Sequence, residues 1–374
     1  MSPLPAIATA KRIVIKLGSS LVADAASASA RQAWMQSLAT DIATLHQAGK
    51  EIILVSSGAV ALGRPHVGLD NGTLTLEDKQ AAAAAGQPLL MQAWQQAFAG
   101  HHIKTAQLLL TLDDSERRRR YLNARATFTT LLEHKLIPIV NENDTVATAE
   151  LKFGDNDRLA ARVAVMVSAD MLVLFSDIDG LYTADPRRDK TAQHLARIDA
   201  LTPDIMAMGG GAASGLSSGG MKTKLDAAQM ALSAGCHMAI ARGDIEHPLR
   251  ALQESDARAS WFVATVKPQV ARKHWIASAV DTKGALIIDD GAAKALASGK
   301  SLLPAGLKTV EGKFGRGDTV SVISLGGTLL ARGISAYSSS EAAAIAGKKT
   351  SDIASILGYE GRDTLIHRDD LAML

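Results

Sequence analysis

The sequence predicts an α/β protein: a three-layer αβα domain built on a mainly parallel sheet, followed by a small, mostly β module. Three observations carry this expectation. Short β-branched apolar runs alternate with longer helical patterns over the first 265 residues, the signature of right-handed βαβ units. Those runs are continuous in hydrophobicity rather than alternating, as expected when helices cover both faces of a sheet. After about residue 266 the pattern changes to short strands punctuated by Gly and Pro, which suits a small β module.

The strand candidates are RIVIKLG (12–18), EIILVSSG (51–58), KTAQLLLT (104–111), LIPIVNE (136–142), MLVLFSD (171–177) and HMAIARG (237–243). Helical patterns fill the gaps at roughly 28–48, 77–99, 122–134, 156–168 and 222–234; the run AAAAAG (81–86) is ordinary helix. VKPQVARKHW (266–275) looks like a linker, so the expected domains are 1–266 and 267–374, the second with strands at ALIID, DTVSVIS and LLARGIS. No internal repeat is visible.

The chain has 374 residues, 47% hydrophobic and 21% charged, with a formal net charge of +2. That balance allows a sizeable core and excludes an overall polyanion-binding character. A single cysteine, Cys236, excludes an internal disulfide framework and a Cys-rich zinc site; a small buried core residue is expected there. MSPLPAIATAKR lacks a basic start with a long apolar core, so no signal peptide is expected. No apolar run reaches the roughly 18 residues that span a bilayer. A cytoplasmic enzyme or binding protein is expected, without membrane association.

Four strand candidates end in small or polar residues: KLGSS, SSGAV, NEND and SDIDG. In an open α/β sheet, ligands bind outside the carboxyl ends of the strands. At the first tip Lys16 precedes Gly18, where backbone N–H groups and a positive charge can meet a phosphate; a solvated lysine on an ordinary turn fits the same residues. Neither a P-loop nor a Rossmann fingerprint is present. SGLSSGGMKTK (214–224) leads into a helix with Lys222 and Lys224 beside it, the makings of a triphosphate cradle or of a plain surface loop. Ser176 and Asp177 at the fifth tip can hydrogen-bond a nucleotide; Asp177 with Asp179 also offers metal ligands, without calcium-loop spacing. The basic run ERRRRYLNAR (116–125) reads as a solvated helix face or a contact between subunits. NENDTVATAELKFGDND (141–157) holds five acidic residues among three Asn and one Lys, which fits a metal site, a solvated loop or a grip on a small charged substrate.

Together these segments resemble the amino-acid kinase family, and within it the branch that phosphorylates the side-chain carboxylate of glutamate at the start of proline biosynthesis. The likeness is carried by KLGSS (16–20), SSGAV (56–60), VNENDTVATAELKFGDND (140–157), SDIDGLYTADP (176–186) and SSGGMKTK (217–224). It runs from about residue 11 to the end, where GKSLLPAGLKTVEGKFGRGD (299–318) resembles the PUA domain of bacterial members. At 217–218 this chain has Ser-Ser where the family shows Gly-Thr, which puts a Cβ into a glycine-rich loop.

The resemblance implies a role for each motif. Ser57, Asp144 and Asn156 bind glutamate, with Asn141 and Gly58 beside them; Asp144 suits the α-ammonium. Lys16 and Lys224 contact the phosphates from opposite sides, Asp157 orients the two lysines and Lys152 assists. Gly18, Ser176, Asp177 and the segment Ser218, Gly219, Gly220, Met221, Lys222, Thr223 and Lys224 hold ATP. Mg²⁺ arrives with ATP and no resident metal site is expected. The acidic stretch then reads as a substrate grip. Glutamate's side chain, with an ordinary pKa of about 4.3, is already an ionised nucleophile at neutral pH. No general base is needed, and charge stabilisation with positioning carries the transfer. The family further implies feedback inhibition by proline, a dimer or tetramer, and product handover to a reductase. Another carboxylate substrate on the same fold is the first alternative. RNA binding through the PUA module is the second, although residues 267–374 carry 14 basic against 11 acidic side chains, a net of only +3.

Overall fold

In a computed structural model, which describes all residues except 1–3, 6, 25–28, 70–71, 148–155, 211–219, 255–256 and 279–281, Arg12–Leu17 form β1, with every side chain after Arg12 buried. Successive side chains of a strand point to opposite faces, and here both faces are covered. Ile13, Ile15 and Leu17 join one apolar cluster, whereas Val14 joins another. The same parity sorts Ile52 and Leu54 from Ile53 and Val55 in β2 (Glu51–Ser56). The continuous apolar runs of the sequence are thus two interleaved faces.

The other strands of this sheet are β3 (Thr105–Leu110), β4 (Ile137–Glu142), β5 (Met171–Ser176), β6 (Arg197–Ile198), β7 (His237–Arg242) and β8 (Ala259–Phe262), in the spatial order β6-β8-β7-β5-β1-β2-β4-β3. All neighbours pair in parallel except β7 with β8. The chain leaves β1 toward β2 on one side and returns to β5 on the other, so the topological switch lies at β1. Helices α1 (Gln32–Gln47), α2 (Ala59–Gly63) and α3 (Leu76–Ala99) lie on one side of the sheet, through Met35, Leu38, Leu62, Leu90 and Trp94. On the other side α4 (Arg118–Glu133), α5 (Asn156–Val167) and α6 (Met221–Ser233) contribute Phe128, Leu159, Val163 and Leu225.

The expected αβα layering is present, and each of the six strand candidates forms a strand. β6 and β8, at two and four residues, are too short to show a period in the sequence. The segment expected as a linker differs more: Pro268–Ala277 is a helix. Proline at a first helical position loses no intrahelical bond and presets φ, so Pro268 starts this helix rather than interrupting the chain.

The chain divides into two units, Met1–Pro268 and Gln269–Leu374. The second holds a five-stranded mixed sheet, in the order Leu307–Gly312, Gly284–Ile288, Thr319–Ser324, Leu329–Ile334, Leu371–Met373. Its core, including Leu286, Val320, Val322 and Tyr337, is its own. Arg272 pairs with Asp370 at 2.6 Å and ties the helix that opens this unit to the turn before its last strand. No helix among the described residues is long and apolar enough to cross a membrane.

Helix α3 starts at a capping box, in which Asp78 N donates to Thr75 Oγ1 and Thr75 N donates to Asp78 Oδ2; this satisfies two otherwise orphaned donors. Pro88 lies inside the helix, and the carbonyl it cannot engage, that of Ala84, is on the exposed face where water can take it. α2 crosses α3 with no room for side chains. A Cβ on Gly86 would sit 1.8 Å from the Ala59 carbonyl oxygen, and one on Gly63 1.8 Å from that of Ala82. This crossing holds α3 against the tip of β2. Gly86→Ala is expected to destabilise the first unit by about 1–3 kcal/mol, the usual range for overpacking, as read by chemical denaturation. Unchanged stability would mean that the helices separate freely.

Candidate functional site

The site grows from strand parity. Lys16 shares the face of Val14, so its side chain enters the layer formed by α5 and α6 rather than solvent. There it meets Asp157, in the first turn of α5, and Lys224, in the first turn of α6. Lys16 Nζ lies 2.7 Å from Asp157 Oδ1, and Lys224 Nζ 2.9 Å from Oδ2. Relative exposures are 6% for Lys16, 0% for Asp157 and 3% for Lys224. Two ammonium groups around one carboxylate leave a net positive charge enclosed at the switch point. The N-termini of α5 and α6 add the positive ends of two helix dipoles.

Burial alone would raise the pKa of Asp157. The charges of Lys16 and Lys224, and then their hydrogen bonds, outweigh it and hold the carboxyl below its ordinary value. A lowered folded pKa contributes stability that is fully present above about pH 4 and is lost as the pH falls through the lower, folded value.

A second cluster is neutral. Asn156, one residue before Asp157, donates from Nδ2 to Ser57 Oγ beyond the tip of β2 and to Asn141 Oδ1 on β4, the latter at 3.1 Å. Asn141 Oδ1 also accepts from Glu142 N at 2.9 Å, and its Nδ2 donates to Gln87 Oε1 on α3 at 3.0 Å. Gly58 follows Ser57 with φ +116°, a backbone state that side chains rarely tolerate. Ser56, the last residue of β2, accepts from Trp94 Nε1 at 3.0 Å.

Lys16, Asp157 and Lys224 therefore come together, as do Ser57, Asn141 and Asn156, and the two groups adjoin through the 156–157 step. Asp144 is half-buried in the turn that leaves β4. Gly220 N-caps α6 with extended backbone, and Thr223 Oγ1 donates to its carbonyl at 2.8 Å. Met221 is half-buried at the first position of α6, whereas Lys222 is exposed. Gly18 precedes a short helix at Ser19–Val22, and a Cβ there would meet nothing closer than 4.0 Å. Ser176 and Asp177 at the tip of β5 engage each other, Ser176 Oγ donating to Asp177 Oδ1 at 3.0 Å, with Arg187 3.8 Å from Asp177; they are not joined to the lysine cluster. Asp179 accepts from Tyr182 and faces Arg258 at 3.6 Å. Lys152, Ser218 and Gly219 lie outside the described residues.

Among the described residues no three His, Cys, Asp or Glu side chains gather as a metal-binding group. Cys236 is buried, and burial followed by nearby Asp170 pushes its thiol well up, leaving it unreactive at neutral pH. Sequence reasoning missed Gln87. The signal was a polar residue on the buried side of an alanine-rich helix, seven residues after Gln80, which donates to the Ala147 carbonyl at 3.1 Å.

The profile of the amino acid kinase family matches residues 11–242, and that of the PUA domain residues 284–357. The chain belongs to the amino acid kinase family. It is 56% identical over 373 residues to the glutamate 5-kinase of Paramagnetospirillum magneticum, covering 100% of both chains. It is 54% identical over 370 residues to that of Ruegeria sp., covering 99% of this chain and 100% of the relative. The glutamate 5-kinase of Rhodospirillum rubrum is 54% identical over 360 residues, covering 96% of each.

Asp157→Asn, which strands two buried ammonium groups, is expected to cost about 3–5 kcal/mol at pH 7. The stability gap to the unaltered chain should begin to narrow below about pH 4, where Asp157 of the unfolded chain takes up a proton, and shrink further as the pH falls toward the lower, folded value. Denaturant titrations across pH 3–7 measure both. A gap that is small or independent of pH would contradict the ionised triad.

Proposed function

We propose that this chain transfers the terminal phosphoryl group of ATP to the side-chain carboxylate of L-glutamate, giving L-glutamyl 5-phosphate and ADP, the first step of proline biosynthesis. The observation that carries the proposal is full-length identity of 54–56% to proteins named glutamate 5-kinase. The buried Lys16–Asp157–Lys224 cluster supports it chemically.

The reaction brings one anion to another. A carboxylate oxygen of glutamate forms the new bond to the γ-phosphorus, the bond from that phosphorus to the bridging oxygen breaks, and its electron pair leaves with ADP. No proton moves, so no base is required. The enclosed positive charge of Lys16 and Lys224 offsets the negative charge on the transferring group, in a site whose charges need no reorganisation. Asp157 keeps both ammonium groups in place, and Lys152, four residues before Asn156 in sequence, assists. Mg²⁺ brought with ATP would supply further charge neutralisation at the phosphates.

Glutamate is held by Ser57, Gly58, Asn141, Asp144 and Asn156. Asp144 faces the α-ammonium with Asn156 Oδ1 beside it, and the Ser57 hydroxyl donates to a carboxylate oxygen without adding negative charge. The nucleotide occupies the side formed by Gly18, Ser176, Asp177 and the segment 218–224, at the N-terminus of α6. Both substrates bind within residues 1–266. Proline inhibits by competing at or near the glutamate site, which assays with added proline test directly.

Purified chain with MgATP and hydroxylamine should form hydroxamate with L-glutamate, and not with N-acetylglutamate or L-aspartate. Signal with another acid alone would overturn the substrate assignment. Lys16→Ala and Lys224→Ala should each lower turnover on the order of 10²-fold or more, while the folded state survives because Asp157 keeps one ammonium partner. Near-normal turnover in both variants would remove the assigned chemistry.

A further inference from the structure

We propose that Gln87 is a positioning residue for the amino-acid substrate, acting through Asn141 and Asn156; this rests on the kinase reading above. Gln87 is 8% exposed, on the face of α3 that meets β4. Its carbonyl oxygen accepts from Asn141 Nδ2, while its own Nε2 is buried and has no hydrogen-bond partner among the described residues. A buried donor left unpaired carries a desolvation cost. At this position an apolar side chain would avoid that cost, but it could not accept the Asn141 bond.

That bond closes a chain whose direction is determined at one end by the backbone. The Glu142 N–H cannot reverse, so the Asn141 atom that accepts from it must be Oδ1. Asn141 Nδ2 is then turned to α3, where only an acceptor fits, and Gln87 presents Oε1. Asn141 Oδ1 also takes Asn156 Nδ2, which in turn reaches Ser57 Oγ. With Ser57 Oγ accepting, its hydroxyl hydrogen is left to donate. With Asn156 Nδ2 occupied twice, its Oδ1 is left to accept. Among the described residues neither has a partner. One donor and one acceptor, side by side and of set polarity, match the carboxylate and ammonium carried on one carbon of an amino acid.

Gln80, two helical turns earlier on the same face of α3, holds the Ala147 carbonyl. Helix α3 thus grips residues 141–147 near both ends, the part of the chain that carries Asp144. Without Gln87, Asn141 Nδ2 is left without its acceptor and the amide is held through Oδ1 alone, which loosens the positions of Asn156 and Ser57. The ATP side, built on α5, α6 and β1, does not share these bonds.

The test is steady-state kinetics of Gln87→Leu, with Gln87→Met as a second variant of closer shape should the first fold poorly. The expected result is a rise of about tenfold in KM for glutamate, the loss of one buried hydrogen bond, with kcat and KM for MgATP within about twofold. In the Asn156→Ala background, adding Gln87→Leu should raise the glutamate KM no further, because Gln87 acts through Asn156. An unchanged glutamate KM, a parallel rise in both KM values with a lowered Tm, or effects that multiply in the double variant would overturn the proposal. The unaltered chain, run in the same hydroxamate assay, separates the two levels. Absence of product from glutamate there removes the kinase reading and this inference with it, whereas normal activity with a flat KM series removes the inference alone.

Discussion

Everything at the switch point depends on one carboxylate held between two ammonium groups. Asp157 has no exposed surface, and Lys16 and Lys224 are almost as enclosed. Such a group is costly to desolvate, and the cost is offset by the pairing of the carboxylate with ammonium groups held in register. The arrangement therefore constrains the fold: β1 must be an inner strand, and α5 and α6 must both begin at its carboxyl end. The order β5-β1-β2 in the middle of the sheet provides this. What remains is an enclosed excess of one positive charge at the N-termini of two helices, suited to a transferring phosphoryl group.

Beside this charged half stands a neutral one. Ser57, Asn141 and Asn156 are joined to one another and, through Gln87, to α3. The division has a physical logic. Neutral hydrogen-bonding groups can meet an anion without repelling it, while the positive charge of the two lysines is kept to the other cluster. Adjacent residues 156 and 157 join the halves, so the N-terminus of α5 sets the distance between the neutral and the charged cluster. The approach of α3 that completes the neutral half depends in turn on Gly63 and Gly86, where carbonyl oxygens occupy the space of a missing Cβ.

The C-terminal unit has a core of its own. Its sheet is mixed and its apolar cluster is separate from the two that cover the kinase sheet. The PUA profile matches within it. Arg272 and Asp370 bind the first helix of this unit to its end, so the segment that looked like a spacer is part of a folded module.

The sequence by itself determined the layers, because continuous β-branched runs separated by helical periods admit few packings other than a covered parallel sheet. It also exposed Lys16 and Lys224 at a strand tip and a helix start, while Ser57, Asn156 and Asp157 followed from the family resemblance of their motifs. Short elements such as β6 and β8 left no period to read, and Pro268 resembled a break although it begins a helix. Only the tertiary structure decided which polar residues meet. Lys224 is enclosed and Lys222 two positions earlier is exposed, a difference set by the rotation of α6 against the sheet. Ser176 and Asp177 pair with each other rather than with the lysines. Gln87 had no motif to announce it in an alanine-rich helix. Its contact arises from a crossing between α2 and α3 that brings residue 87 to residue 141, and contacts across such separations follow from packing rather than from any local pattern.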